Sequence, residues 1–432
     1  MKKNEEYIVE CFDDTDLVSG VVKIENIITF VPNLLIGEVA KVKIVKVKKN
    51  YAYGIIIDLI QASPNRVKPK CAYFKTCGGC SLQHMKYDYQ LEYKYKHVKK
   101  LFNEDIPVKK VLGMDDPWFY RNKAQFPVKI KDNQIQTGFY RQHSNDIVPC
   151  DMCRIQDETI NDVYQCIQKN LSLEETIGLR HIFIRHSNCD EIQIVFIGNK
   201  PKQYKELIHK LIQKFPNIKS IVYNINNRND NVILGDTYHV LYGSDSIIEN
   251  CLQNKIKLHF KSFFQVNPSQ MEVLYKQAIQ AADLKGNEVC IDMYAGTGTI
   301  GISVARHVQK VIGVEIVQEA VDNATYNVQL NHLDNCTYIC QDATEFAHEY
   351  KNKKVDVIFI DPPRKGMSEN GIKDTITMSP EKIIYISCNP KTLTRDIQIF
   401  KEYNYVCEYV QPVDMFCQTS GLECVAKLTK IR

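Results

Sequence analysis

The sequence predicts an α/β protein in three parts. A doubly wound parallel sheet occupies residues 259–432, preceded by a small β-barrel over 1–62 and an α+β segment over 63–258. Three observations predict it. From about residue 260, strand-like runs alternate regularly with helical stretches, as in a parallel sheet with crossover helices. The first sixty residues hold five short strand-like runs, the pattern of an oligonucleotide-binding type of barrel. A turn-rich boundary, Ser63-Pro64-Asn65-Arg66, follows them.

The barrel strands are expected at 7–11, 20–24, 27–31, 37–47 and 53–60. The fourth, GEVAKVKIVKV, alternates apolar and basic residues with period two, so one face joins a core and the other is strongly positive. The chain's net charge of +4 is unevenly spread: residues 1–110 carry 19 Lys+Arg against 13 Asp+Glu, and the stretch 41–100 carries 14 against 3. Aromatics (Tyr51, Tyr53, Tyr73, Phe74, Tyr87, Tyr89, Tyr93, Tyr95) interleave with these cations, an electrostatic footprint for nucleic acid. With 432 residues, 44% hydrophobic and 25% charged, the composition is that of a globular protein of two to four domains and excludes wholesale disorder. No stretch approaches the ~18 uninterrupted apolar residues of a membrane span. The opening MKKNEEYIVE has no apolar run behind its basic residues. A cytoplasmic protein with no membrane partner is therefore expected.

The middle segment mixes strand-like runs (181–185, 191–197, 220–224) with a helical run at 203–214. Most of the sixteen cysteines lie where a reduced thiol serves as a small core residue. Cys71-x5-Cys77-Gly78-Gly79-Cys80 is different: soft thiolates at this density suit zinc or an iron–sulfur cluster, with Cys150 or Cys153 as the fourth ligand. The spacing is not the C-x3-C-x2-C of radical enzymes.

In the last segment strands are expected at 289–294, 310–316, 336–340, 355–360, 382–387, 406–413 and 422–428. Ligands of such sheets sit beyond the carboxyl ends of the strands. The first strand runs into Ala295-Gly296-Thr297-Gly298-Thr299-Ile300-Gly301, where small residues let a backbone approach a ligand closely. Glu315 ends the second strand, 23 residues after Asp292, and can accept both hydroxyls of a ribose. NAD and S-adenosylmethionine (SAM) use this arrangement equally. Gln341-Asp342 ends the third strand and can bond an adenine amino group. Asp361-Pro362-Pro363 ends the fourth, and such a corner resembles the motif of SAM-dependent methyltransferases acting on nucleic acids, which favours SAM.

The fifth strand ends in Ser387-Cys388-Asn389-Pro390, a cysteine among polar residues on the catalytic edge. A methyltransferase needs a thiolate when the acceptor is carbon 5 of a pyrimidine: thiolate attack on carbon 6 puts negative charge on carbon 5, which can then take a methyl group. A base must afterwards remove the carbon-5 proton. Glu423 starts the last, otherwise apolar strand and is the candidate.

Together, Asp361-Pro362-Pro363-Arg364-Lys365-Gly366, Ser387-Cys388-Asn389-Pro390 and Pro412-Val413-Asp414-Met415-Phe416…Glu423-Cys424-Val425 resemble the RNA 5-methyluridine methyltransferase family, most closely its bacterial 23S ribosomal RNA enzymes. The resemblance implies a Rossmann-like SAM methyltransferase sheet, and an N-terminal TRAM domain as the RNA-binding barrel. It makes Cys388 the nucleophile and Glu423 the proton-abstracting base, and has Gln265, Tyr294, Glu315 and Asp361 contact SAM beside Gly296 and Asp342. It implies a four-iron, four-sulfur (4Fe-4S) cluster on Cys71, Cys77, Cys80 and Cys153, the last because it precedes Ile155-Gln156-Asp157. Its partner would be RNA, 23S rRNA before tRNA, since family members acting on tRNA generally lack the barrel and these cysteines; a monomer is expected. Two departures lie near Glu423: Cys417 stands where proline is common, and Ser420-Gly421 where His-Val is common.

Overall fold

The computed structural model describes residues 1–102 and 104–431. The N-terminal strands form one six-stranded sheet, Glu6–Glu10, Val39–Val47, Tyr51–Gln61, Ile27–Pro32, Ser19–Ile24 and Asp13–Asp14 in spatial order. The two-residue strand Asp13–Asp14 was not foreseen; it is too short to carry a period. Val39–Val47 keeps the expected alternation: Ala40, Val42 and Ile44 are buried, with Lys41 and Lys43 between them on the opposite face.

A second sheet of seven strands spans Lys123–Lys131 to Thr237–Gly243, with helices Glu158–Asn170 and Lys205–Lys214 packed on it. The hairpin Ser246–Cys251/Asn254–His259 follows. Its Ile247, Cys251, Ile256 and Leu258 enter the core of the C-terminal sheet, so packing crosses the boundary expected near 258.

The C-terminal sheet has the spatial order Cys336–Cys340, Lys310–Glu315, Val289–Met293, Val357–Ile360, Lys382–Ser387, Glu423–Lys430, Tyr405–Val413. The first five strands are parallel, and Glu423–Lys430 runs antiparallel to both its neighbours. Alternate residues feed two cores: Ile384 and Ile386 face helices Pro268–Ala282, Thr299–Ala305 and Gln318–Leu330, whereas Ile383 and Tyr385 face helices Tyr87–Leu101, Glu369–Thr377 and Pro390–Glu402. Each buried aliphatic side chain contributes roughly 1.5–3 kcal/mol. This topology positions the site. The last strand inserts in the opposite direction, so its first residue lies at the edge where the five parallel strands end. Two helices beside that edge open alike, Asn267-Pro268 and Asn389-Pro390: each asparagine caps the helix and each proline occupies a position whose N–H needs no partner.

Candidate active site

Val289–Met293 and Val357–Ile360 are adjacent while the strand order runs outward on both sides of them, the switch point beyond whose carboxyl ends sheets of this type bind their ligands. Asp292, almost fully buried, accepts a bond from Gly301 N (2.8 Å) and so ties the strand to the glycine turn. Burial pushes its carboxyl up to about 7, and Asp361 nearby adds to the shift. Tyr294 opens the turn in the left-handed region (φ +63°) and presents its ring partly to solvent. Gly296 (φ +54°) has nothing within 4 Å of where a Cβ would stand, and its N–H donates to Glu315 Oε2 (3.0 Å). Glu315 Oε1 accepts from Ile316 N and Val317 N (2.9 and 3.0 Å), which fixes the carboxylate at the strand tip.

The other glycines of the turn differ from expectation. A Cβ on Gly298 or Gly301 would stand 2.6 or 2.5 Å from the Tyr338 hydroxyl, and one on Gly313 only 2.1 Å from its ring. These glycines make room for Tyr338, whose hydroxyl donates to Gly298 O (2.9 Å); the open glycine is Gly296 alone of the three in the turn. Asp342 is exposed and accepts from Thr344 N (2.8 Å), capping Ala343–Tyr350, within electrostatic reach of Tyr294. Gln265 is buried between Phe264 and Val266, two residues after the exposed Phe263, and its backbone carbonyl accepts from Asn122 Nδ2 (3.3 Å).

Cys388 follows Lys382–Ser387 and is half-buried. In the antiparallel ladder Ser387 is opposite Cys424, so Glu423 falls beside Cys388 at the end of the pairing. Glu423 is 3% exposed and its Oε2 has no hydrogen-bond partner. Burial, with Asp361 beside it, holds its carboxyl well above the usual range, and the Arg364 guanidinium opposes this. Burial also raises the Cys388 thiol to about 11; Glu423 and Asp361 push the same way and Arg364 the other. Asp361 itself is raised to about 7 by burial. Three strand ends thus bring together one thiol, two carboxyls and one guanidinium. The Arg364 loop is anchored to the helix after Cys388: Asn389 Nδ2 donates to Arg364 O (3.1 Å), and buried Asp396 accepts from Met367 N (2.9 Å) and Tyr385 Oη (2.6 Å). Neither Arg364 nor Tyr338 had been singled out as a site residue from the sequence; Arg364's place directly after the double-proline corner was the available signal.

Two profile matches are decisive. The model of the tRNA (uracil-5-)-methyltransferase family matches residues 86–431, and that of the TRAM domain matches residues 14–57. The chain belongs to the tRNA (uracil-5-)-methyltransferase family. This uracil-5-methyltransferase family member is 42% identical over 427 residues to an uncharacterized RNA methyltransferase of Staphylococcus aureus, covering 94% of each chain. It is also 42% identical to an uncharacterized RNA methyltransferase of Staphylococcus epidermidis, over 99% of this chain and 98% of the other. Among solved structures it resembles the Pyrococcus abyssi tRNA (uracil-54, C5)-methyltransferase in complex with S-adenosyl-L-homocysteine, with 26% identity, a TM-score of 0.76, and coverage of 98% of this chain and 99% of that one. The methyltransferase is thus a SAM-dependent RNA-modifying enzyme with an N-terminal TRAM domain. Since a tRNA enzyme aligns over nearly the whole chain, the barrel does not by itself separate rRNA from tRNA as the substrate, contrary to expectation.

On the TRAM sheet of the methyltransferase, Phe30, Tyr51 and Tyr53 form a surface cluster with ring centroids 5.6–5.9 Å apart, both tyrosines being exposed. Among the described residues, no helix is long and apolar enough to cross a membrane.

The predicted metal centre departs most from expectation. All sixteen cysteines are free thiols. Cys71, Cys77, Cys80 and Cys153 do converge, since each lies within electrostatic reach of others in the set. Burial raises Cys80 to about 12 and Cys153 to about 11, and the neighbouring thiols add to both shifts. Among the described residues, however, no three His, Cys, Asp or Glu side chains stand in metal-binding geometry, so the expected ligand set is gathered but not closed. The loop makes local bonds instead: Cys77 Sγ accepts from Gly79 N (3.4 Å), and Cys71 N donates to Gln83 Oε1 (3.1 Å). The donor chemistry, four soft thiols, fits a soft-metal group. Cys150 is buried close by and donates to Met152 O (3.1 Å).

Proposed function

We propose that the protein methylates carbon 5 of a uracil in RNA, with Cys388 as nucleophile and Glu423 as base. The observation that carries this reading is the meeting of a half-buried thiol and an unpartnered buried carboxyl at neighbouring strand ends. The Cys388 thiolate adds to carbon 6 of a base turned out of its stack, and the displaced electron pair makes carbon 5 nucleophilic. SAM supplies the methyl group that carbon 5 takes. The Glu423 carboxylate then removes the carbon-5 proton; the electrons left behind rebuild the ring double bond and expel Cys388 as thiolate. Arg364 favours the ionised form of both groups. Gln265, Tyr294, Gly296, Glu315, Asp342 and Asp361 would hold SAM, Glu315 through the ribose. The thiols of Cys71, Cys77, Cys80 and Cys153 would hold a 4Fe-4S cluster that shapes the RNA-facing surface; nothing in the reaction moves electrons.

We assign 23S ribosomal RNA as the substrate, on the cysteine loop that the resemblance associates with the ribosomal RNA enzymes; the barrel, whose strand Val39–Val47 carries Lys41 and Lys43 away from its core, supports RNA binding in general. A tRNA substrate is the second reading, favoured by the alignment with the Pyrococcus enzyme. The protein with labelled SAM should label one of these two RNAs; label in tRNA alone would overturn the assignment. With 5-fluorouracil-substituted RNA it should form a stable covalent complex that Cys388→Ala cannot form. RNA binding without any adduct would refute the mechanism.

A further inference from the structure

The reaction needs no lysine, yet Lys94, on helix Tyr87–Leu101, is fully buried. Its Nζ donates to Asp414 Oδ1 (2.5 Å), Gly421 O (2.9 Å) and Phe416 O (3.2 Å). All three acceptors lie in the segment 414–421, which joins Tyr405–Val413 to the strand that Glu423 begins. The same helix face holds this segment at two further points. Tyr87 donates to the other Asp414 oxygen (2.8 Å), while Gln90 exchanges bonds with the Gln418 side chain (3.0 Å) and backbone N–H (3.2 Å). Spacings of three and four residues put 87, 90 and 94 on one stripe.

An ammonium taken wholly out of water is tolerated only with its partners in place. Two of those partners are backbone carbonyls at 416 and 421, so the segment's path, not only one side chain, is tied to Lys94. Glu423 lies two residues beyond Gly421 and has no bond on Oε2 to orient it. Its aim is set by the backbone that delivers it. We propose that Lys94 is a positioning residue for Glu423, closing the 414–421 segment in the conformation that presents the carboxylate to the carbon-5 proton. The inference rests on Glu423 being the base.

The test separates addition from release on the full-length protein, with SAM and whichever transcribed RNA, 23S or tRNA, accepts label. Lys94→Met should form the covalent RNA complex at close to the wild-type rate and release it about 100-fold more slowly, the scale expected of a misplacement of about 1 Å. A methylated covalent complex then accumulates, and Lys94→Arg should restore part of the release rate. If Lys94→Met does not fold, Asp414→Asn, which keeps shape but removes the counter-charge, must show the same accumulation. Normal release in a folded variant, or an equal fall in both steps, would overturn the proposal. Glu423→Gln is run alongside. Should it release product normally, the base assignment itself fails; should it accumulate complex while the Lys94 and Asp414 variants do not, only the positioning role falls.

Discussion

The two thiol-bearing regions, the tip at Cys388 and the pocket of Cys71, Cys77, Cys80 and Cys153, contain the same functional group in opposite settings. Cys388 is half-buried and faces carboxyls and a guanidinium. The pocket thiols face mainly one another, with Cys80 and Cys153 packed against Tyr120, Ile155 and Cys417. Burial raises Cys388 above its ordinary value as it does Cys77, Cys80 and Cys153, so acidity does not distinguish the settings. Neighbours do: a thiol beside groups that can take or stabilise a proton is set up for covalent chemistry, whereas thiols beside thiols have affinity for a soft cation and little else.

The difference is tested most severely by removing each sulfur in turn. Cys388→Ala should lower methylation by about 10⁴-fold or more, as when a covalent nucleophile is deleted, while leaving the unfolding midpoint in denaturant within the wild-type range. Glu423→Gln should cost about 10²–10⁴-fold, with a covalent methylated complex trapped on a denaturing gel. Because the Glu423 carboxyl is held high and release needs its ionised form, release should quicken as pH rises, and go on quickening above pH ~5, where an ordinary glutamate is already ionised. A flat release rate there would show that Glu423 does not limit that step. Cys80→Ser should act in the opposite way to Cys388→Ala. It should lower the thermal midpoint, along with iron and sulfide content, and retain the 5-fluorouracil adduct. An unaltered midpoint and metal content would remove the distinction between the regions. The smallest effect concerns Arg364. Alkylation of Cys388 in RNA-free protein should titrate near 11, and Arg364→Ala should move that midpoint upward by about one unit or less, roughly 1.4 kcal/mol. A downward move would contradict the guanidinium's opposing influence.

Much of the catalytic edge was legible because a doubly wound sheet returns every strand end to the same side. Glu315 and Asp361 follow an apolar run directly, and Asp342 and Cys388 follow one after a single polar residue, so finding the runs located the residues. What escaped was long-range or steric. Tyr338 fills the space under three glycines, two of which, Gly298 and Gly301, look in sequence like ligand contacts. Lys94 and Asp414 are 320 residues apart, and no local period announces a buried ion pair. The hairpin 246–259 shows the alternation of any strand pair; which core it joins depends on the helices above it. The cysteine spacing points to Cys71, Cys77 and Cys80 with Cys150 or Cys153 as a fourth, and both of those lie near Cys71 and Cys77, but spacing carries no information on how closely side chains approach.

The insertion of Glu423–Lys430 between two strands made earlier has a consequence for synthesis. During translation Lys382–Ser387 and Tyr405–Val413 emerge before the strand that will pair with both of them. Until then Ile383, Ile384, Tyr385 and Ile386, all fully buried in the finished fold, border an open row of backbone donors and acceptors. A nascent chain stopped short of Glu423–Lys430 would already carry Cys388 but would be a template for intermolecular pairing. Glu423 is thus delivered by the same strand that covers this open edge against self-association.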